Sequence, residues 1–272
     1  MRTRKYSMPT VIRNGTSIYC KVTGTGPAVV LGHSFLCSGE MWNPQIQSLA
    51  RHHTVVNIDL RGHGRSGAIE RRFDLCDLVK DVVAVLDHLE IDRAVWAGLS
   101  IGGMVALRAA LYEKDRVSGL ILLDTHAGSE TPGKKLRYQA MVEFGKVFGT
   151  APLVPQIARM FFCHHTHRTN PELVGEWRER FRSVRVSTVV HTASALRRRD
   201  SVVDRLGEID IPVLVIVGEA DQPTPPAYAR EIVNALPRAS LVEVKKAGHL
   251  SNLEQPAAVS SAMMTYLESM SG

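Results

Sequence analysis

The sequence predicts an α/β protein: a mostly parallel, eight-stranded sheet flanked by helices, with a helical cap inserted after the sixth strand. Three observations predict it. Short apolar, β-branched runs recur at residues 28–32, 54–58, 94–98, 119–123 and 212–218, unbroken enough for strands covered on both faces. Stretches of helical spacing lie between them, as in residues 75–89, where Leu75, Leu78, Val79, Val82, Val83, Leu86 and Leu89 fall on one face. Residues 125–204 then break the alternation over a length that no loop spans without helices of its own.

In chain order, two β-prone runs come first, at residues 10–13 and 17–23, joined by Asn14-Gly15. Both turn residues tolerate positive φ, so a hairpin leads into the sheet. The strand at 28–32 follows a Gly/Pro turn. Strand and helix then alternate to residue 123, which makes the sheet parallel. Beyond the inserted segment come a strand at 212–218, a helix at 226–236, a strand at 240–244 and a last helix over 255–267. The sequence therefore divides into a core of residues 1–124 and 205–272 and a cap of residues 125–204.

Composition narrows the function. The 272 residues include 33 Lys and Arg against 27 Asp and Glu, a formal charge of +6. The positive charge lies in short clusters at residues 2–5, 178–185 and 197–199 rather than in a basic tail or finger, which argues against nucleic acid. Cys20, Cys37, Cys76 and Cys163 form no CxxC pair and are too sparse for a disulfide scaffold. The basic first residues are not followed by an apolar run, and no stretch of about twenty apolar residues spans a membrane. The expectation is a cytoplasmic protein with reduced thiols, a monomer or homodimer, with no membrane partner.

The chemistry concentrates at AGLSIGG, residues 97–103, between a strand and a helical stretch. A serine at such a turn projects its hydroxyl above the sheet, and Gly98 and Gly102 relieve the crowding two residues to either side. The first amides of the following helix and its dipole face the same point, where they would meet a developing oxyanion. Ser100 is the candidate nucleophile. The chain lacks an early GxGxxG and a GxxxxGK[ST] loop, so no nucleotide cofactor is expected.

A serine nucleophile needs a base and an orienting acid. His249, in KAGHL, follows the last predicted strand, and Asp221, in GEADQPTP, follows the strand at 212–218. Both stand at carboxyl ends of parallel strands, the edge where ligand sites gather. Asp124 is the alternative acid, with Glu219 behind it. The remaining oxyanion donor is placed on the loop at residues 33–36, as the amide of Phe35, paired with that of Ile101.

These residues carry a resemblance to the α/β-hydrolase superfamily that covers almost the whole chain outside the cap. Besides GLSIGG, the stretch DLRGHGRS at 59–66 resembles the family's strand-end turn. LGHSFLCSGEMW resembles its oxyanion-loop segment, and KKAGHLSNLEQP its base loop. The resemblance implies Ser100, Asp221 and His249 as nucleophile, acid and base, the Phe35 and Ile101 amides as oxyanion hole, and a packing role for His63. His33-Ser34 stands where many relatives have His-Gly, and Ser34 adopts positive φ less cheaply than glycine. Serine at position 100 separates the chain from relatives that use an aspartate nucleophile. Within the serine branch it looks similar to the 3-oxoadipate enol-lactonase and carboxylesterase-like group.

The implied reaction is hydrolysis of a small or medium apolar carboxylic ester or lactone through an acyl-enzyme, with no metal and no organic cofactor. The rivals are hydrolysis of a carbon–carbon bond in a diketone by the same triad, and a hydrolase-like receptor that binds with little turnover. His33, Leu36, Trp42, Met141, Phe144, Phe148, Met160, Phe161 and Leu250 are expected to line a largely apolar pocket. The run of Cys163, His164, His165 and His167 has metal-like composition without the spacing to wrap one ion. The arginines at 178–199 are expected on solvated faces, paired with Glu172, Glu176 and Glu179, or with one of them entering the pocket to hold a substrate carboxylate.

Overall fold

The computed structural model describes residues 9–69 and 71–270; the basic run at residues 2–5 lies outside them. Strands β1 (Thr10–Arg13), β2 (Thr16–Thr23), β3 (Ala28–Gly32), β4 (Thr54–Ile58), β5 (Ala94–Leu99), β6 (Val117–Leu123), β7 (Val213–Gly218) and β8 (Ala239–Val244) form one sheet in the order β1-β2-β4-β3-β5-β6-β7-β8. The first two are antiparallel to their neighbours, and every later pairing is parallel. β5 and β7 are buried at every residue, which is why they read as unbroken apolar runs.

Helices cover both faces. α1 (Asn43–Leu49) follows β3, and α2 (Leu75–His88) starts at a reciprocal cap between Asp74 and Asp77. The expected apolar stripe of α2 faces the core through Leu75, Leu78, Val79, Val82 and Leu86. α3 (Ile101–Tyr112) is buried from Ile101 to Leu111. Apolar residues at close to every position give it no solvent face to keep polar.

The stretch between β6 and β7 folds into α4 (Pro132–Phe148), α5 (Val154–Phe161), α6 (His164–Thr169), α7 (Pro171–Arg182) and α8 (Val186–Arg198). Prolines at the first helical positions of α4 and α7 lose no helical hydrogen bond there, and Thr131 and Asn170 cap the two starts. These helices reach the loops that leave several strands at their carboxyl ends. Thr188 Oγ1 donates to Gly62 O at 2.6 Å, Lys134 Nζ to Pro223 O at 3.0 Å, and Cys163 N to Glu254 Oε2 at 2.8 Å. The segment therefore lies over the carboxyl edge of the sheet. α9 (Pro226–Ala235), α10 (Ser251–Glu254) and α11 (Pro256–Ser269) complete the chain. Among the described residues no helix is long and apolar enough to cross a membrane.

Candidate active site

Ser100 stands between β5 and α3 with φ 57° and ψ −114°, a conformation that costs a non-glycine residue about 1–3 kcal/mol. Close packing enforces it. A Cβ on Gly98 would lie 2.2 Å from the Gly102 carbonyl carbon, and one on Gly102 would lie 2.2 Å from Gly32 O. Only glycine lets α3 press against β5 and β3 closely enough to throw the intervening serine outward. Hydrogen bonds fix the turn: Ser100 N donates to Leu123 O at 2.9 Å, and Thr125 Oγ1 donates to Ser100 O at 2.6 Å.

His249 and Asp221, more than twenty residues apart in the chain, meet at the end of β7. His249 Nδ1 lies 3.0 Å from both Asp221 carboxylate oxygens. A carboxylate only accepts, so Nδ1 carries the proton, which leaves Nε2 as the ring's basic nitrogen. Thr224 completes the carboxylate's shell, its N donating to Oδ1 at 3.0 Å and its Oγ1 to Oδ2 at 2.7 Å. The base loop is held from above as well. His249 N donates to Phe161 O at 2.9 Å, and the two rings lie 5.0 Å apart.

Asp124 does not face the imidazole. Its carboxylate accepts from Gly218 N at 2.8 Å and from the Ser251 hydroxyl, so it fastens the end of β7 to the base loop. Burial, then the nearby charge of Asp221, pushes its pKa well above the usual carboxylate range. Glu219 accepts from Lys246 N and braces the same loop. The geometry puts Asp221 on the ring and leaves both alternatives as supports.

In the loop after β3, Cys37 N donates to Ser34 O at 3.1 Å, and the positive φ falls at Leu36, 65°, rather than at Ser34. The turn puts its left-handed residue in the third position, so the missing glycine at 34 is not needed. Ile101 is the first residue of α3, where no helical carbonyl reaches an amide.

Ser100, His249, Phe35 and Thr224 line a partly open cavity of about 220 Å³ that residues of the inserted helices also line. The serine hydroxyl and the imidazole share this wall without a direct hydrogen bond between them among the described residues. Of the residues expected in the pocket, Leu36, Met141, Met160 and Phe161 line it. His33, Trp42 and Leu250 do not: all three are fully buried in the core. His33 spends both ring nitrogens on backbone, Nδ1 donating to Ser34 O at 2.7 Å and Nε2 accepting from Leu60 N at 2.9 Å. Burial lowers its pKa to about 4. Phe144 and Phe148 also miss the wall. At 1.5 Å per residue they sit about 4 and 10 Å beyond Met141 along α4, and their exposed rings pack on each other.

The wall is also less apolar than expected, because Glu130, Lys134, Arg137 and Tyr138 line it with Gln222. Lys134, Arg137, Tyr138 and Met141 recur at helical spacing on one face of α4, a signal present in the sequence. Burial, with the charge of Glu130, raises the Tyr138 phenol to about 12. Arg180 and Arg182 pair with Glu176 and Glu179 on the surface of α7. Arg199 departs from that pattern. It is buried, on Glu130 Oε1 at 2.7 Å and Gly128 O at 2.9 Å, because the unpaired carboxylate of Glu130 would otherwise be buried alone. Cys163 caps α6, and His167 Nε2 bonds Ala158 O at 3.2 Å. Among the described residues no group of three or more His, Cys, Asp or Glu could hold a metal ion.

A parallel sheet that delivers a strained serine, a carboxylate and an imidazole from three strand ends defines a class. Residues 27–256 match the alpha/beta hydrolase fold family, and the chain belongs to it. Over 246 residues, 90% of each chain, it is 30% identical to 3-oxoadipate enol-lactonase 1 of Acinetobacter baylyi. Two solved structures are similar throughout. The thermophilic esterase of Thermogutta terrifontis superposes with a TM-score of 0.92 at 29% identity, covering 97% of this chain and 99% of that one. The enol-lactonase of Burkholderia xenovorans LB400 gives 0.90 at 28% identity, covering 96% and 100%.

Proposed function

We propose that the protein is a serine hydrolase that cleaves a carboxylic ester or lactone through an acyl-enzyme, with residues 125–204 acting as a cap over a core of residues 1–124 and 205–272. The observation that carries the reading is the Asp221–His249 hydrogen-bond pair at the wall of the cavity that Ser100 also lines. His249 Nε2 takes the Ser100 proton as the oxygen attacks the ester carbonyl. Asp221 holds the ring in the required tautomer and stabilises the imidazolium that forms. The Phe35 and Ile101 amides receive the oxyanion, each worth about 3 kcal/mol to the transition state. The imidazolium protonates the leaving alcohol, and water activated by the regenerated base releases the acid. For a lactone the alcohol and acid leave as one molecule.

The esterase and enol-lactonase relatives support this substrate class. Purified protein is tested on short esters, γ-lactones and enol-lactones beside Ser100→Ala and Asp221→Asn. The reading expects Ser100→Ala to lose roughly four to six orders of magnitude in kcat and Asp221→Asn roughly four. Turnover that survives Ser100→Ala refutes it.

A further inference from the structure

A second cleft, open and of about 450 Å³, shares Leu36 with the catalytic cavity and, among the described residues, no other wall residue. The sheet builds one side of it. Strand alternation puts Tyr19 and Lys21 on one face of β2, away from the buried Ile18 and Cys20. Lys21 stands opposite Asn57 in the antiparallel ladder to β4, and one pair further along Asp59 N donates to Tyr19 O at 3.0 Å. Four polar side chains therefore stand together where a helix-covered sheet would carry apolar ones. Trp177, Arg180 and Arg185 of the inserted segment supply another side.

Lys21, Arg65, Arg180 and Arg185 line this cleft against two carboxylates, Glu40 and Asp59, which leaves it electropositive. Arg180 is paired with Glu40 at 3.1 Å and Glu176 at 2.7 Å, and Asp59 accepts from the Gly39 and Arg65 amides at 2.6 and 2.9 Å. Arg185 Nη2 donates to Ser66 O at 3.1 Å, and neither Arg185 nor Lys21 forms an ion pair among the described residues. Two buried acceptors of the wall also lack a donor. His63 is 3% exposed, and its Nδ1 donates to Arg61 O at 3.1 Å, so Nε2 is the bare nitrogen and has no partner. Asn57 is 7% exposed, and its Nδ2 donates to Gly39 O at 2.8 Å while Oδ1 has no partner. A buried acceptor without a donor is costly, and a hydroxyl entering the cleft would supply one to each.

From this we infer that the cleft is a binding site, separate from the catalytic cavity, for a small hydroxylated oxyanion: a phosphate ester or carboxylate of a polyol. Lys21 and Arg185 hold the anionic group, Arg185 with a planar fork and Lys21 with a point charge. Hydroxyls of the same ligand donate to His63 Nε2 and Asn57 Oδ1. The site stands on its own observations and does not depend on the hydrolase reading.

Titration calorimetry with glucose 6-phosphate and with gluconate, beside inorganic phosphate and sorbitol, tests it. At least one of the two polyol anions is expected to bind at a single site, roughly tenfold or more tighter than phosphate or sorbitol, and less tightly as ionic strength rises. Binding of one and not the other assigns the anionic group as phosphate or carboxylate. Lys21→Gln/Arg185→Gln is expected to lose roughly tenfold or more in affinity. Lys21→Gln alone, at an exposed residue, gives a partial loss and keeps the test standing if removal of the Arg185 bond to Ser66 disturbs that turn. In proton NMR, saturation should shift the His63 ring signals and leave those of His249 in place. Failure of both polyol anions to bind overturns the site, as does phosphate binding as tightly as either of them. Affinity unchanged in the double variant, or shifts at His249 in place of His63, overturns it equally.

Discussion

Removing the Asp124 carboxyl separates two effects that the fold combines in one side chain. Asp124 is 1% exposed and accepts from Gly218 N and Ser251. Its own residue lies between Leu123, whose carbonyl takes the Ser100 amide, and Thr125, whose hydroxyl donates to Ser100 O. Asp124→Ala leaves the Gly218 amide and the Ser251 hydroxyl without their partner. At about 1–3 kcal/mol for each, the loss is about 3 kcal/mol or more. Asp124→Asn keeps an acceptor for Gly218 and offers a donor to Ser251, and it carries no charge. The folded carboxyl titrates above its ordinary 3.8. Stability from its proton is thus full below about pH 4 and is lost as pH rises through the folded pKa. The asparagine variant has no such loss. It is expected within about 1 kcal/mol of wild type near pH 4, then increasingly the more stable, by up to about 1.4 kcal/mol per pH step. Urea unfolding of the three proteins between about pH 4 and 8, read as differences from wild type, cancels the other titrating groups. Equal pH slopes for wild type and Asp124→Asn, or equal stability of the alanine and asparagine variants, would refute the reasoning. In the hydrolase assay Asp124→Ala is expected to lose roughly a hundredfold in kcat/KM, because loops displaced by about 1 Å misplace the reacting groups.

Two further outcomes follow from the same structure. Gly102→Ala puts a methyl 2.2 Å from Gly32 O, a backbone atom that cannot turn aside, and should cost about 3 kcal/mol by urea unfolding. Gly145→Ala, within α4 with nothing within 4 Å of the added carbon, should gain about 0.5–1 kcal/mol, and equal effects at the two sites would contradict this packing. His33 and His63 are lowered by burial to about 4 and about 3, with His33 adding to the effect at His63. The stability they contribute is present above about pH 6.5 and is lost as pH falls toward those values, of order 3 kcal/mol for His33. Proton NMR should show both rings neutral down to about pH 5, and either ring titrating near 6.5 would refute their closed environment.

The parallel strands were legible because burial on both faces demands unbroken apolar runs, and α2 because its apolar residues recur at helical spacing from Leu75 onward, while the reciprocal cap of Asp74 and Asp77 emerged only in the structure. The turn at Ser100 was legible because backbone crowding admits only glycine at 98 and 102. Pocket membership was not. Whether Trp42 or Leu250 faces a cavity or the core depends on the packing of residues distant in the chain, and apolar character is the same in both settings. Phe144 and Phe148 show the limit most clearly, since they continue a helical stripe past the end of the wall it lines.

What the sequence determined alone was local or periodic: the strand and helix order, the strained serine turn, and the residue types at each strand end. Tertiary structure decided which acid meets His249, where the positive φ of the loop after β3 falls, and that Lys134 and Arg137 line the cavity while Arg199 neutralises Glu130. Those outcomes depend on distances between loops joined only through the sheet, and no single stretch of chain encodes such a distance.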